Sequence, residues 1–292
     1  MSLFNNKHMN RWRLKSVSRI ESRRMPYRHS NRQNLLSRID TLQKIVKCNV
    51  SISRFGDGEL MIALLERGIS FQKKNRELSA RLKQILYEKD SRLLVCMNNE
   101  FMRNNEIFWV LQYERSSKKY IRFETWRDPN DIGILSRKAE WAFYNECYRI
   151  LFGKKKPSVF GDATLFMLGL YTEEYKKAQM ERVFELFVTL FKKKRLLIAA
   201  PKTPLMAPSF RELEPKLLAA GASGITHIDM PEKDAYTYYQ EIKSKILNST
   251  NFDAVWIQAG PAASILAHDL ATNHDILSYD IGSLNTTLRY IL

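Results

Sequence analysis

A Rossmann-like α/β fold, with a mostly parallel sheet covered by helices on both faces, is what this sequence predicts. Three observations carry that expectation. Short runs rich in Val, Ile and Leu alternate with amphipathic helical stretches along most of the chain. Several of those runs are apolar on both faces, as strands buried within a parallel sheet are. No repeat of solenoid period and no low-complexity linker interrupts the alternation after residue 33.

Taken in order, residues 35–47 read as a short helix and "NVSISRF" (49–55) as the first strand. Further strands are expected at "RLLVCMN" (92–98), "KYIRFET" (119–125), "RLLIAA" (195–200), "GITHIDM" (224–230), "DAVWIQA" (253–259) and "ILSYDI" (276–281). Helical spacing lies between them, near 76–89, 137–152, 206–220, 235–248 and 262–272. It is clearest where Met180, Val183, Phe184, Phe187 and Phe191 repeat along one buried face. Residues 34–292 are thus expected to form a single domain. In such a domain ligands sit at the carboxyl ends of the strands, so the loops 56–59, 200–208 and 260–264 matter most.

The chain of 292 residues carries a net charge of +16. Residues 1–33 hold nine Lys or Arg against one acid, Glu21, a net of +8, and read as a flexible basic arm. A solvated tail is the plain reading. Attraction to an anionic membrane surface is the functional one, worth about 1 kcal/mol per basic residue. Cys48, Cys96 and Cys147 are too few and too scattered for a disulfide framework or a zinc cluster. No apolar run approaches the ~20 residues of a bilayer span, and the N-terminus lacks the apolar region of a secretory signal. The expected location is cytoplasmic, peripheral at the inner membrane face.

The chemistry centres on "RFGDGE" (54–59). Gly56 and Gly58 permit positive φ and close approach of a ligand to the backbone. Asp57 and Glu59 would share a side in an extended segment. A divalent cation carrying a diphosphate needs one or two such carboxylates, with water and phosphate oxygens completing its shell. A helix starting near Glu59 would add its N-terminal N–H groups, and Arg54 a positive charge for a leaving diphosphate. The plain alternative is an Asp-Gly turn with a helix-capping acid.

A second loop, "WIQAGPAASILAHDLA" (256–271), turns at Gly260 into a helix opened by Pro261. Small residues through Ser264 would admit a phosphate or ribose, or simply pack tightly. In "SVFGDATLFMLG" (158–169), Asp162 is a further polar ligand or the N-cap of a helix starting at Ala163. His268 reads as a packed or surface histidine. The chain has no G-x-S-x-G, H-E-x-x-H, C-x-x-C, P-loop or G-x-G-x-x-G pattern.

Several of these segments together resemble the GT-D-fold glycosyltransferases, a bacterial family. They are "RFGDGEL", "ISFQK" (69–73), "MPEKDAYTYYQEIKSKIL" (230–247) and "IQAGPAASILAHDLATNHDILSYDIGS" (257–283), in order over most of the chain. The resemblance implies a GT-D-type fold and a metal-dependent transfer of a hexose from a UDP-sugar to a glycan or an already glycosylated protein. It implies that Asp57 and Glu59 hold the cation (Mn2+ or Mg2+) and the donor diphosphate. Arg54, Phe55, Gly56 and Gly58 would shape that loop, and Gly260, Pro261 and Asp280 would lie on the donor side. "FGDA" (160–163) stands where the family has a Tyr-Gly-Asn-Ala type of segment, which makes Gly161 a donor contact and Asp162 a candidate catalytic base.

Two departures stand beside the match. After 195–200 the family carries Glu and Arg in a Gly-rich loop, where this chain has "APKTPLMAPSF" with only Lys202 as a charge. The family's His after Asp-Ile-Gly is Ser283. Nucleic acid is not expected as a partner under this reading. The alternatives are an S-adenosylmethionine methyltransferase, which would have no use for Glu59, and a non-catalytic protein binding nucleic acid or membrane through its basic arm.

Overall fold

The computed structural model describes residues 35–98, 111–114, 119–122, 159–167, 171, 177–203 and 208–292. The basic arm and the helix expected at 137–152 lie outside the described residues. The chain runs α1 (Arg38–Cys48), β1 (Ser51–Phe55), α2 (Asp57–Leu65), α3 (Arg76–Ile85), β2 (Leu93–Met97), β3 (Leu111–Glu114) and β4 (Lys119–Arg122). It continues through β5 (Gly161–Asp162), α4 (Lys177–Thr189), β6 (Arg195–Pro201), α5 (Phe210–Ala219) and β7 (Gly224–Met230). Then follow α6 (Tyr239–Asn248), β8 (Ala254–Ile257), α7 (Pro261–His274), β9 (Ser278–Asp280) and α8 (Leu284–Ile291).

Seven strands form one sheet in the order β5-β2-β1-β9-β8-β6-β7, and every pair in it is parallel. Two apolar layers cover it. Phe55, Val95, Met97, Leu197, Ala199, Val255 and Ile257 face α2, α3, α6 and α7. Ile52, Leu94, Cys96, Leu196, Ile198, Trp256 and Tyr279 face α1, α4, α5 and α8. This two-residue alternation, apolar on both sides, is why the strands read as continuous hydrophobic runs. Trp256 anchors the second layer, edge-on to Phe191 at 6.1 Å and to Phe210 at 6.0 Å.

Helix starts follow local chemistry. The Ser37 hydroxyl accepts from the Asp40 amide at α1, and the Asn75 side chain accepts from the Leu78 amide at α3. Ser209 and Glu212 form a full capping box at α5, which begins the helix at 210 rather than at 206. Residues 235–248 divide into one 3₁₀ turn (Ala235–Tyr238) and α6, after Asp234 enters with φ +54°. Residues 119–122 do not join the main sheet. They pair antiparallel with β3, in a separate hairpin. Three elements were unanticipated: β3, the hairpin partner of β4, β5, two residues long, and α8.

Candidate functional site

The direction each chain takes after its strand defines a crevice. Beyond β1 and β8 it passes into α2 and α7 on one face of the sheet, whereas beyond β9, which lies between them, it passes into α8 on the other. Neighbouring loops that part to opposite faces open a cleft at the carboxyl ends of their strands. Gly56, Gly282 and Gly260 stand at the three exits of this one.

Arg54 and Asp280 form its floor. The Arg54 amide donates to Asp280 Oδ2 at 3.1 Å, and the Ser264 hydroxyl lies 2.8 Å from both that oxygen and the Arg54 carbonyl oxygen. Ser264 is therefore a tie between α7, β1 and β9 rather than a small residue leaving room for phosphate. Burial pushes the Asp280 carboxyl above the usual carboxylate range, while the Arg54 guanidinium, Ser264 and the Arg54 and Gly282 amides act against the shift. The Arg54 guanidinium donates through Nε to the Ala163 carbonyl at 2.7 Å and lies 5.5 Å from the Phe166 ring centre. It also fills the space a side chain at residue 282 would take: a Cβ there would overlap Arg54 Nη1, and φ is +47°. Only glycine suits that place.

The acidic pair sits in the first turn of α2, because the helix starts at Asp57 rather than at Glu59. Residues two apart on a helix point about 200° apart, so the extended geometry expected for the pair does not apply. Glu59 instead folds back toward the helix start. A Cβ on Gly56 would meet Glu59 Oε2 at 2.9 Å. Gly56 has φ −68° and ψ −173°, an ordinary extended conformation, so space and not backbone strain requires glycine there. As N-cap it supplies no side-chain acceptor to the helix amides. Asp57 opens the helix, and its side chain lies outside the described residues. Gly58 is within the helix, and Phe55 is fully buried beneath it.

The segments that carry the family resemblance meet here. Ile69 and Gln72 exchange backbone hydrogen bonds of 2.8 and 3.1 Å in a tight turn that presents Phe71 to Gly260. A Cβ on Gly260, whose φ is +51°, would lie 3.1 Å from the Phe71 ring. The same turn is fastened to the loop before α6. Asp234 donates its amide to the Phe71 carbonyl at 2.8 Å, and its Oδ1 accepts from the Lys73 amide at 2.6 Å. Pro261 occupies the first position of α7, where its missing N–H costs nothing.

Asp162 and Gly161 are placed differently from their expected roles. Asp162 is fully buried, and its Oδ1 accepts from the Thr164 amide at 2.9 Å and the Thr164 hydroxyl at 2.6 Å. It caps a turn, not a helix, and that turn aims the Ala163 carbonyl at Arg54. Such a carboxylate is poorly placed to serve as a base for an incoming acceptor, which corrects that expectation. At Gly161 a Cβ would lie 2.6 Å from Cys96 Sγ and 2.8 Å from Thr41 Cγ2, so glycine there lets α1 pack on the sheet edge. His268 lies in α7 with Nε2 2.9 Å from Glu88 Oε2, consistent with a packed histidine.

Sequence reasoning missed Gln258 and Asn285. Gln258 Nε2 donates to the Gly282 carbonyl at 2.8 Å and to Asn285 Oδ1 at 3.1 Å, and Asn285 Nδ2 donates to the Pro208 carbonyl at 3.0 Å. A polar chain thus joins the loop after β6 to the floor of the crevice. Nothing in the pattern "WIQAGP" marks the glutamine, since its partners are more than twenty residues away.

A depression of about 490 Å3 lies elsewhere, at the β7 edge, and includes His227, Asp229 and Lys245. These are already paired with Glu214, Arg211 and Glu241 at 2.8, 2.7 and 2.6 Å, so it offers no free charge. Among the described residues there is no group of three or more His, Cys, Asp or Glu able to hold a metal by itself. One or two carboxylates at a helix start fit a hard cation that arrives with its own phosphate oxygens, not an all-protein cage. No helix among the described residues is long and apolar enough to cross a membrane.

Comparison with known proteins agrees with this architecture. A solved structure described as the highly conserved domain of unknown function 1792, with a distinct glycosyltransferase fold, superposes with a TM-score of 0.62 at 25% identity, over 88% of this chain and 80% of that one. Another, described as a new glycosyltransferase from Streptococcus sanguinis, gives 0.63 at 23% identity, over 88% and 84%, and shows the likeness of fold. A probable glycosyl transferase, Gly, of Streptococcus gordonii is 23% identical over 264 residues, which are 88% of this chain but 33% of that protein. The chain therefore spans about a third of the length of that relative. The model of the glycosyltransferase GT-D fold matches residues 52–288, and the chain belongs to that family.

Proposed function

We propose that this protein transfers a hexose from a UDP-sugar to a glycan or an already glycosylated protein, using Mn2+ or Mg2+ held by Asp57 and Glu59. Family membership supports glycosyl transfer as the reaction class. The observation that carries the donor reading is the start of α2. There a nine-residue helix points an N-terminus without a side-chain cap at the crevice, and Glu59 is folded back over Gly56.

The chain's own groups divide the work. The first turn of α2 directs the positive end of the helix dipole at a diphosphate, favouring its charge as the anomeric bond breaks. A bound cation supplies further neutralisation of the leaving diphosphate. Arg54 and Asp280 hold β1 and β9 in register, so that the Gly56 and Gly282 exits keep their separation. Phe71 against Gly260 closes the apolar side of the cleft and limits water. The donor hexose and the acceptor would be set by loops around this frame, among them the Lys202 loop, part of which lies outside the described residues.

Calorimetric titration of UDP, with Mn2+ and with chelator, tests this reading. Wild type should bind only with the metal, and Asp57→Ala/Glu59→Ala should lose that binding while keeping its thermal midpoint. Folded wild-type protein that binds no nucleoside diphosphate in either condition would refute the donor site.

A further inference from the structure

Resting on the UDP-sugar reading, we infer that Gln258 is a specificity-determining residue whose side-chain oxygen accepts a hydrogen bond from an N–H or O–H group of the bound nucleotide-sugar. Its orientation is fixed by chemistry. The two groups facing one end of the amide, the Gly282 carbonyl and Asn285 Oδ1, are both acceptors, and Asn285 Oδ1 also takes the Thr286 amide at 3.0 Å. The NH2 must face them, which turns Oε1 the other way. That oxygen is buried and meets no hydrogen-bond partner among the described residues. Buried acceptors are almost always satisfied, so the position calls for a donor from outside the chain.

Placement in the sheet says where that donor belongs. Trp256 and Ile52 flank Tyr279 from either side. Two residues further along each strand, Gln258, Ile281 and Arg54 lie in one row on the same face, at the carboxyl end of the sheet. Gly282 follows immediately. Arg54 Nη1 lies against it from the β1 side and is likewise buried without a hydrogen-bond partner among the described residues, while the Gln258 amide holds its carbonyl from the β8 side. A donor and an acceptor therefore flank one glycine at the exit of the central strand. Asp280, two residues earlier, turns to the opposite face of the sheet, where its Oδ2 accepts from the Arg54 amide and the Ser264 hydroxyl.

Three donors on a UDP-hexose share this chemistry: the base imide, the ribose hydroxyls and the hexose hydroxyls. They are separated by editing the ligand, which leaves the protein fold untouched. Wild type and Gln258→Met would be titrated with UDP, N3-methyl-UDP, 2′-deoxy-UDP, 3′-deoxy-UDP and UDP-hexoses lacking single hydroxyls. One edit should weaken wild-type binding about tenfold and have little further effect on Gln258→Met, the signature of a lost pairwise hydrogen bond. If no edit weakens wild-type binding, the inference is overturned even should the variant fail to fold. If every edit that weakens wild type weakens Gln258→Met equally, the inference is also overturned, because each of those groups is then read elsewhere. If wild type binds no nucleotide at all, the donor reading itself fails, a result distinct from either of these.

Discussion

The two ends of the central sheet are built on different terms. At the amino end polar groups are saturated. Arg195 and Asp253 join β6 to the start of β8 through a 2.8 Å ion pair, and Asp253 also accepts the Arg195 amide at 2.7 Å. Asp90 likewise pairs with Arg92 and accepts its amide at 2.8 Å, within the loop before β2. Both carboxyls are held at about 2, chiefly by hydrogen bonds from those arginines. At the carboxyl end Asp280 is pushed upward by burial, and polar atoms of Arg54 and Gln258 are buried without partners among the described residues. One end closes its polar groups on one another, whereas the other keeps buried polar atoms unsatisfied among the described residues. Unsatisfied and shifted groups gather where function is expected.

Substituting matched glycines should break this comparison most sharply. Gly282→Ala combines positive φ with overlap onto Arg54, and should cost about 3 kcal/mol in urea unfolding and remove UDP binding. Gly221 precedes β7 at the other end, with φ +107°, and a Cβ added there would meet Lys192 Cγ, its nearest neighbour, at 3.2 Å. Gly221→Ala should cost only about 1 kcal/mol and leave nucleotide binding intact. Equal losses at the two sites would contradict the contrast.

Next in size is Asp280→Ala. It strands the Arg54 amide in the interior, leaves the Ser264 hydroxyl only the Arg54 carbonyl, and a loss of about 2 kcal/mol is expected on chemical denaturation. Measured stabilities should also separate the ends by pH. Asp253 is lower in the folded state than its unfolded value near ~3.9, so its contribution is present above about pH 4 and lost as pH falls toward 2. Asp280 is raised, so its contribution is present below about pH 4 and lost as pH rises through its folded value. Asp253→Asn should flatten the acid limb of the stability curve, and Asp280→Asn the opposite limb. The Asp253 effect should be the smallest of the set, because its ion pair is partly solvated.

The sheet could be read from the sequence because both of its faces are covered, which leaves apolar runs along most of its strands. β5 escaped because two residues carry no periodicity, and 119–122 misled because a hairpin strand and a sheet strand share the same pattern. Glycine and acid in "RFGDGE" marked the loop where β1 passes into α2 at the carboxyl end of the sheet, yet two details emerge only in the folded chain: the helix begins at Asp57, and Gly56 is needed for space and not for φ. Asp162 shows the limit of motif reading. Its neighbours Thr164 and Arg38 decide its role, and Arg38 is 126 residues from that threonine. Gln258 and Asn285 were invisible for the same reason, since hydrogen-bond complementarity is a property of pairs.

β9 carries a consequence for synthesis. It is the middle strand of the crevice, but Arg54 meets Asp280 across 226 residues of chain. A ribosome that has released β1 must therefore add most of the domain before the floor of the cleft can form. Until then Arg54 waits without its carboxylate partner, and no half-made chain carries the completed cleft. Vectorial assembly places completion of this cleft among the last events of folding.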